Sequence, residues 1–446
     1  MALVLILLLI IGFIVFATVR LRLSPFLVLL LAALLAAFAY GLPLQEIEST
    51  LRAGFGNIMG SIGLVIVLGT LIGVILERSG AAIVLAQSLI RVFGARFPSL
   101  TLSLVGFLVS IPVFCDSAFI ILNSLRRSVA RSLHASPVML TVALSTGLFA
   151  THTLVPPTPG PIAAAANLGL EDNLGLVILA GLGLALLAAL TGLAWAHYSA
   201  GLPSEELHEE DAAPQADEVL QRLPSATASM LPLLVPIALI CVGSIANYPG
   251  ALLGDGLVHE LSLFLGKPLI ALSVGVLCAL PLLRGEQRLV RFSEHTQQAL
   301  LTAAPILLVT GAGGAFGAVL AATPIGDYLG STLSTLGIGV FMPFVVAAAL
   351  KTAQGSSTVA MVAGSALVAP LLPQIGLDST AGEVLAVMAI GAGAMTVSHA
   401  NDSYFWVVAQ CSRMSVATAY RAHTTATLLM GLVSITVLWL VSLIVL

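Results

Sequence analysis

The apolar positions of this chain fall in repeated runs of about 18–25 residues, each long enough to cross a hydrocarbon layer of about 30 Å as a helix. Few of these runs contain a charge. They lie near residues 2–19, 25–42, 58–76, 98–112, 137–155 and 174–198, and again near 229–246, 266–283, 301–320, 339–350, 383–398 and 422–446. The pattern predicts an all-α polytopic membrane protein with about 12–14 membrane segments. A transmembrane barrel would need short alternating strands, and a single-anchor protein would leave a large polar domain. Neither is present in the sequence.

The two series of runs match one another. LERSGAAIVLAQSL (76–89) resembles LAATPIGDYLGSTL (320–333), and Thr151-His152-Thr153 resembles Ser398-His399-Ala400. Between the series lies a long polar stretch, residues 202–226, with an acidic run at 205–211. The expected organisation is a first transmembrane repeat over 1–201, a linker over 202–226 and a second repeat over 227–446. Short-loop Lys and Arg set orientation. Arg20, Arg22, Arg126, Arg127 and Arg131 of the first series have no basic counterparts in 247–265 and 371–382. Conversely, Arg284, Arg288, Arg291, Arg413 and Arg421 of the second face loops of the first that hold only Arg52 or no basic residue. Loops basic in one copy and not in the other are expected of two copies inserted upside-down to each other. Inverted-topology repeats of this kind are common in secondary transporters. This places the linker in the cytoplasm and both termini in the periplasm; Asp and Glu in the linker contribute little to orientation.

Composition agrees with the membrane reading, with 59% apolar and 9% charged residues. The net charge of −4 offers no basic surface for nucleic acid. Cys115, Cys241, Cys278 and Cys411 lack metal-ligand spacing and read as packing residues. The run 2–19 imitates a signal peptide, but its basic residues follow the apolar stretch and do not precede it, so it reads as the first membrane helix.

Inverted-repeat transporters bind substrate where helices are interrupted near the midplane and backbone N–H and C=O groups are left free. Four interruptions meet that description. SIPVFCDSAFIIL (110–122) puts Pro112, Asp116 and Ser117 in an apolar run, and THTLVPPTPGP (151–161) sets Thr151, His152, Thr153 and Thr158 among four prolines. KTAQGSSTVAMVAGSAL (351–367) gathers Lys351, Gln354, Ser356, Ser357 and Thr358, and SHANDSYFW (398–406) gathers His399, Asn401, Asp402 and Ser403. Each has a plain alternative. Asp116 could cap a helix at the headgroups, although a carboxylate within the membrane costs about 2.5 kcal/mol or more and is usually functional. His152 and His399 could be ordinary core histidines, but they recur at equivalent places. Residues 351–358 could be small-residue helix packing, which Lys351 and Gln354 argue against. Asn401 and Asp402 could form an Asx turn. His134, His197, His208, His259, His295 and His423 read as loop or helix-end residues. The glycine-rich GAGGAFG (311–317) lacks the strand and lysine of a nucleotide loop and reads as close helix packing.

Taken together, GFGNIMGSIGLVIVLGTLIG (54–73), HTLVPPTPGP (152–161), GAGGAFGAVL (311–320), AQGSSTVAM (353–361) and SHANDSYFW (398–406) resemble the gluconate:proton symporter (gluconate permease) family over nearly the whole chain. Family members typically have a glutamate in a Phe-Phe-Glu-like segment where this chain has Phe114-Cys115-Asp116. They often have His-Pro-Gly-Pro where it has Thr158-Pro159-Gly160-Pro161. The resemblance implies proton-coupled uptake of gluconate or a related small sugar acid or hydroxy acid across a bacterial inner membrane, with no cofactor and no catalytic chemistry.

A carboxylate substrate also fits the residues themselves, because helix N-termini favour anions, hydroxyl and amide side chains read hydroxyls, and Lys351 supplies a counter-charge. The candidate substrate contacts are Asn57, Ser117, Thr151, Thr153, Thr158, Lys351, Gln354, Ser356, Ser357, Thr358, Asn401 and Ser403. Driving a monovalent anion into a negative interior costs about 2.3 kcal/mol per 100 mV. One proton cancels that charge, and a second makes the potential a driving force. The candidate proton carriers are Asp116, His152, His399 and Asp402, with Asp116 first. A sodium-coupled carboxylate carrier is the nearest rival, and an intramembrane hydrolase using Ser356 with His399 comes from a different class. Duplicated halves with mirrored loop charge suit alternating access, which a hydrolase does not need. A channel would show a charge ring or filter motif, and none is visible. The expected partners are the small organic anion, protons and the lipid bilayer, with a homo-oligomer as compatible with the sequence as a monomer.

Overall fold

A computed structural model describes residues 2–21, 23–93, 97–203, 223–246, 256–283, 287–323, 339–399 and 402–446, and among them there is no strand. The helices in chain order are α1 (Ala2–Val19), α2 (Pro25–Ala39), α3 (Leu44–Arg78), α4 (Ala81–Phe93), α5 (Pro98–Val109), α6 (Cys115–Ser132), α7 (Pro137–Leu154), α8 (Pro159–Asn167) and α9 (Leu174–Tyr198). After the linker come α10 (Ala226–Ala246), α11 (Leu257–Gly266), α12 (Pro268–Ala279), α13 (Arg288–Ala321), α14 (Phe341–Gln354), α15 (Ser357–Val368), α16 (Thr380–Met395) and α17 (Ser403–Cys411). The chain ends in α18 (Val416–Ala419), a π-helical turn (Tyr420–Thr424) and α19 (Thr425–Val445). Most of the linker, the greater part of the repeat-like stretch 320–333 (residues 324–333) and Asn401 lie outside the described residues, as does the side chain of Gln354.

Prolines open α2, α5, α7, α8 and α12, where a missing N–H costs nothing because the first turn has no intrahelical acceptor for it. Several buried hydroxyls bond back to their own helix, as Thr70 does to the Ile66 carbonyl at 2.8 Å, which satisfies them without water. Leu179, Leu186 and Leu190 of α9, with Leu432 and Leu440 of α19, face outward, as a hydrocarbon solvent permits.

Five stretches among the described residues are long and apolar enough to cross a membrane: Pro137–Asn167, Glu171–Gly201, Ala226–Gly243, Arg288–Leu320 and Val416–Val445. Two bent pairs, Leu44–Gly60 with Gly63–Arg78 and Leu257–Gly266 with Pro268–Leu282, are also apolar enough when each is taken as one span. The larger number of segments expected from hydropathy is thus divided between full spans and shorter pieces: the breaks at Pro112, Gly355 and Val397 cut apolar runs into short helices, whereas that at Pro156 lies inside the stretch Pro137–Asn167.

The long helices α3 and α13 lie against each other along much of their length. Their crossing is made of small residues: a Cβ added to Gly54 would sit 2.5 Å from the Gly314 carbonyl oxygen. Around this pair, α5 packs on α7 and α14 on α16, α7 on α9 and α16 on α19, α6 on α17 and α8 on α15.

Candidate functional site

Each of the four interruptions has a local cause. α5 stops at Val109, ahead of Pro112, and the Ser110 hydroxyl bonds the Val113 carbonyl at 3.1 Å before α6 begins. α7 stops at Leu154 because Pro156 and Pro157 bring no N–H, and Thr158 turns the chain by donating to the Val155 carbonyl at 2.7 Å. α14 ends on Gly355 at φ +88°, a conformation glycine adopts without a Cβ penalty, and Ser356 caps α15 by accepting from the Val359 N–H at 3.3 Å. After α16, Val397 takes φ +57°, which costs a β-branched residue on the order of 1–3 kcal/mol. Asp402 then caps α17, accepting from the Tyr404 N–H at 3.0 Å.

The breaks meet in pairs. α6 and α17 come together at their N-terminal ends, where the Ser403 hydroxyl donates to Asp116 at 3.4 Å. α8 and α15 come together similarly, since a Cβ on Gly160 would lie 2.8 Å from Met361 Sδ and 3.6 Å from Thr358 Cα. α3 passes behind the first-half breaks, with Gly69 against Pro157 and Gly73 against Pro112.

At the centre, the Lys351 ammonium donates to Asp402 Oδ2 at 2.5 Å, and both side chains are buried. Lys351 also donates to the Gly355 carbonyl and stands 5.7 Å from the centre of the Phe149 ring. The same Asp402 oxygen accepts from the Ser398 hydroxyl at 2.5 Å. Ser398 is itself fixed, its carbonyl accepting from Thr424 at 2.5 Å and its N–H donating to Thr427 at 3.0 Å. A buried pair roughly breaks even against apolar packing, whereas stripping one partner costs about 3–5 kcal/mol. Asp402 is therefore a helix cap, as the plain reading of the sequence had it, and in addition the partner of a buried ion pair, which the sequence did not suggest.

Asp116 sits in the first turn of α6, half-buried, with Cys115 beside it. The neighbouring Ser117 hydrogen-bonds Glu77 at the end of α3. His152 is buried, with its ring 6.4 Å from Phe149 in near-parallel orientation and 5.9 Å from Phe114, and its Nδ1 has no hydrogen-bond partner. His399 is less buried and its Nε2 lies 3.0 Å from the Thr352 carbonyl oxygen.

His423 corrects the sequence reading. It is not a helix-end residue but fully buried in the π-helical turn, its Nδ1 3.2 Å from the Ser145 hydroxyl and its Nε2 without a partner. The wider turn carries it against Tyr404, at 5.4 Å, and Phe149, at 6.5 Å. Tyr404 in turn donates to the Ser145 carbonyl at 2.9 Å. The polar-rich segment TAYRAHTTAT (418–427) ahead of a long apolar run was the available signal, since π-turns often mark functional segments.

The remaining candidates are spread more widely. Thr151 and Thr153 are buried and bond carbonyls of their own helix, at 3.5 Å to Leu148 and 3.0 Å to Phe149. Ser357 is buried at the start of α15, whereas Ser356 and Ser403 are exposed. Asn57 lies away from the ion pair, on a separate cavity of about 350 Å³ shared with Asn167, Gly313 and Gly317. Among the described residues, no group of three or more His, Cys, Asp or Glu is placed to hold a metal ion.

Comparison with known proteins gives this arrangement a context. Residues 1–444 match the GntP family permease description. The chain is 34% identical over 449 residues to a gluconate permease of Pseudomonas aeruginosa, covering 98% of this chain and 96% of that one. It is 33% identical over 439 residues to the D-serine transporter DsdX of Escherichia coli K12, covering 97% and 96%. Among solved structures, the YdaH transporter of Alcanivorax borkumensis superposes with a TM-score of 0.59 at 16% identity, over 90% of this chain and 89% of that one. At that identity the likeness speaks for the fold alone.

Proposed function

The chain belongs to the GntP permease family, a multi-pass transporter of small organic acids in the inner membrane, and within that class we propose proton-coupled symport of gluconate or a closely related hydroxy acid. The observation that carries the reading is the meeting of Asp116 with Ser403 beside the buried Lys351–Asp402 pair. This gathers a cation for a carboxylate, hydroxyls for a polyol and acids for protons at one junction of interrupted helices. The relatives' substrates, a sugar acid and an amino acid by name, share the carboxylate and hydroxyl that such a site would read.

The inverted-repeat organisation belongs to the same proposal, with 1–201 and 227–446 as the two copies. Its support is the pairing of helices. If α3, α5, α6, α7, α8 and α9 correspond in order to α13, α14, α15, α16, α17 and α19, four of the principal contacts match. The matching contacts are α5–α7 with α14–α16, α7–α9 with α16–α19, and α6–α17 with α15–α8, while α3–α13 maps onto itself; α13–α15 and α3–α8 are closer than the contacts they would map onto. A cytoplasmic linker and periplasmic termini fit a further contact. Arg127 donates to the Cys411 carbonyl at 2.8 Å, so the basic stretches 126–131 and 411–421 lie on one side of the bundle, as the positive-inside rule requires of two cytoplasmic loops.

The test is uptake of labelled gluconate, glycerate and D-serine into proteoliposomes under an imposed pH gradient, with and without Na⁺. Accumulation driven by the pH gradient alone is expected. Accumulation that needs Na⁺ and ignores the pH gradient would replace the proton with sodium.

A further inference from the structure

We propose that the substrate's carboxylate displaces Asp402 from Lys351, and that the displaced Asp402 takes up a proton, so that a single ammonium holds the two anions in turn. The inference rests on the organic-acid transport reading above and adds to it how substrate and proton are tied together.

Four observations carry it. First, the pair is closed: the ammonium and the Asp402 carboxylate are in contact and buried, so an incoming anion must compete with Asp402 for the cation. Second, Lys351 has three N–H donors. One meets Asp402 and one the Gly355 carbonyl, while the Phe149 ring rather than an oxygen lies on a further side. A substrate oxygen can therefore approach before Asp402 lets go. Third, Asp402 is held independently of Lys351. Its Oδ1 accepts the Tyr404 N–H and its Oδ2 meets the Ser398 hydroxyl. As an acid it can donate to that hydroxyl and keep the N–H contact, so the neutral form fits the same cage. Fourth, residues next to the buried pair in the chain, Thr352, Ser356 and Ser403, are exposed.

The charge balances at each stage. The empty site holds Lys351⁺ with Asp402⁻. The loaded site holds Lys351⁺ with the substrate carboxylate and a neutral Asp402. One proton enters the carboxyl oxygen of Asp402, no covalent bond forms, and both substrate and proton leave together on the other side. A substrate arriving without the proton would leave two carboxylates on one buried ammonium, which a low-dielectric site strongly disfavours. Other ionisable groups face Asp402: Cys115 and Asp116 on α6, His152 on α7, His423 in the π-turn and Tyr404 on α17. Asp116 is the one that could imitate the effect, so it needs its own control.

The experiment is equilibrium binding of labelled gluconate, glycerate and D-serine to the purified full-length protein between about pH 5.5 and 8.5, where one linked proton weakens binding by roughly tenfold per pH unit above its release. Wild type and Asp116→Asn should both show that slope. Asp402→Asn, with Lys351 free, should bind with an affinity that no longer changes with pH. In K351M/D402N, where no buried charge of the pair remains to upset folding, binding should be roughly 10–100-fold weaker than in Asp402→Asn, the loss of one charged contact. A slope that persists in Asp402→Asn, or that vanishes in Asp116→Asn, would overturn the exchange by moving the proton elsewhere. Equal affinity of Asp402→Asn and K351M/D402N would overturn the role of Lys351. Wild type that binds these acids with a flat pH profile would overturn the exchange alone, whereas wild type that binds none of them would overturn the transport reading as well.

Discussion

The hydroxyl of Ser403, first residue of α17, reaches the carboxylate of Asp116 in the first turn of α6, joining helix starts 287 residues apart in sequence at 3.4 Å. Because these starts belong to different halves of the chain, any movement of one half against the other must stretch or remake this contact. With one proton taken up by Asp402 as the substrate binds, a second proton taken up by Asp116 only afterwards, as the halves move, and therefore silent in equilibrium binding, would let the membrane potential contribute about 2.3 kcal/mol per 100 mV. Asp116→Asn should therefore abolish uptake driven by an imposed potential at equal pH on both sides, while uptake driven by a pH gradient persists. Potential-driven uptake at the wild-type rate in this variant would transfer the second proton to His152 or His399.

The two helix-start pairs differ in chemistry in a way that orients the site. Where α17 is capped by Asp402, α8 is preceded by Thr158, and where the second residue of α6 is Asp116, the second residue of α15 is Thr358. Acids thus stand at one pair and hydroxyls at the other. Thr358→Val keeps the shape and removes the hydroxyl. It should weaken binding of a polyhydroxy acid such as gluconate by roughly 3–30-fold, in line with the loss of one neutral hydrogen bond. A simple short-chain carboxylate should be affected much less in the same competition assay. Equal losses for both ligands would mean that Thr358 does not read hydroxyls.

Much of this site was legible in the sequence, and the legible part has a common cause. Pro112, Pro156, Pro157, Gly355 and the run from Ser398 to Ser403 interrupt apolar stretches, and an interruption in a membrane helix shows directly in the residue pattern. What could not be read was which interruptions touch. The contact of Asp116 with Ser403 and the alliance of Lys351 with Asp402 depend on how distant helices fold together, and no periodicity reports that. His423 was hidden for another reason. Its position beside Arg421 and polar neighbours has the composition of a loop, whereas the π-turn keeps the helix going and turns the imidazole inward. Asn57 shows the reverse: its motif is distinctive, yet its side chain lies by another cavity, at the α3–α13 crossing.

His152 offers a direct comparison between packing and function. Its Nδ1 is buried without a partner, a penalty of about 1–3 kcal/mol that an apolar ring of similar size would not carry. His152→Phe should hold or raise the thermal midpoint of the purified protein. If the imidazole serves transport, uptake should fall by an order of magnitude or more in the same variant. A stable variant with wild-type uptake would return His152 to the aromatic packing around Phe149.

The proposed orientation is checked by single-cysteine labelling on a background lacking the four native cysteines. Ser204→Cys, in the linker, should be reached by an impermeant maleimide only after the cells are opened. Labelling of intact cells would place the linker outside and reverse both halves.

The α3–α13 crossing sets the last prediction, because its tightness can be tested against a neighbour on the same helix. A Cβ on Gly54 would lie 2.5 Å from the Gly314 carbonyl oxygen, 2.6 Å from the Ala318 Cβ and 2.9 Å from the Ala315 Cα. Backbone atoms cannot swing away as a side chain can, so α3 and α13 must separate. Overpacking of this kind costs about 1–3 kcal/mol. Gly56, two residues on, has nothing within 4 Å of the same added atom. There, alanine adds only helix propensity, worth up to about 1 kcal/mol. Gly54→Ala should therefore lower the thermal midpoint in detergent, and Gly56→Ala should leave it unchanged or raise it. Because the two long helices map onto each other across the proposed repeat axis, Gly314→Ala, which would meet Ile58 and the Gly54 carbonyl oxygen, should destabilise as Gly54→Ala does. Equal midpoints for Gly54→Ala and Gly56→Ala would mean that the helices cross with room to spare.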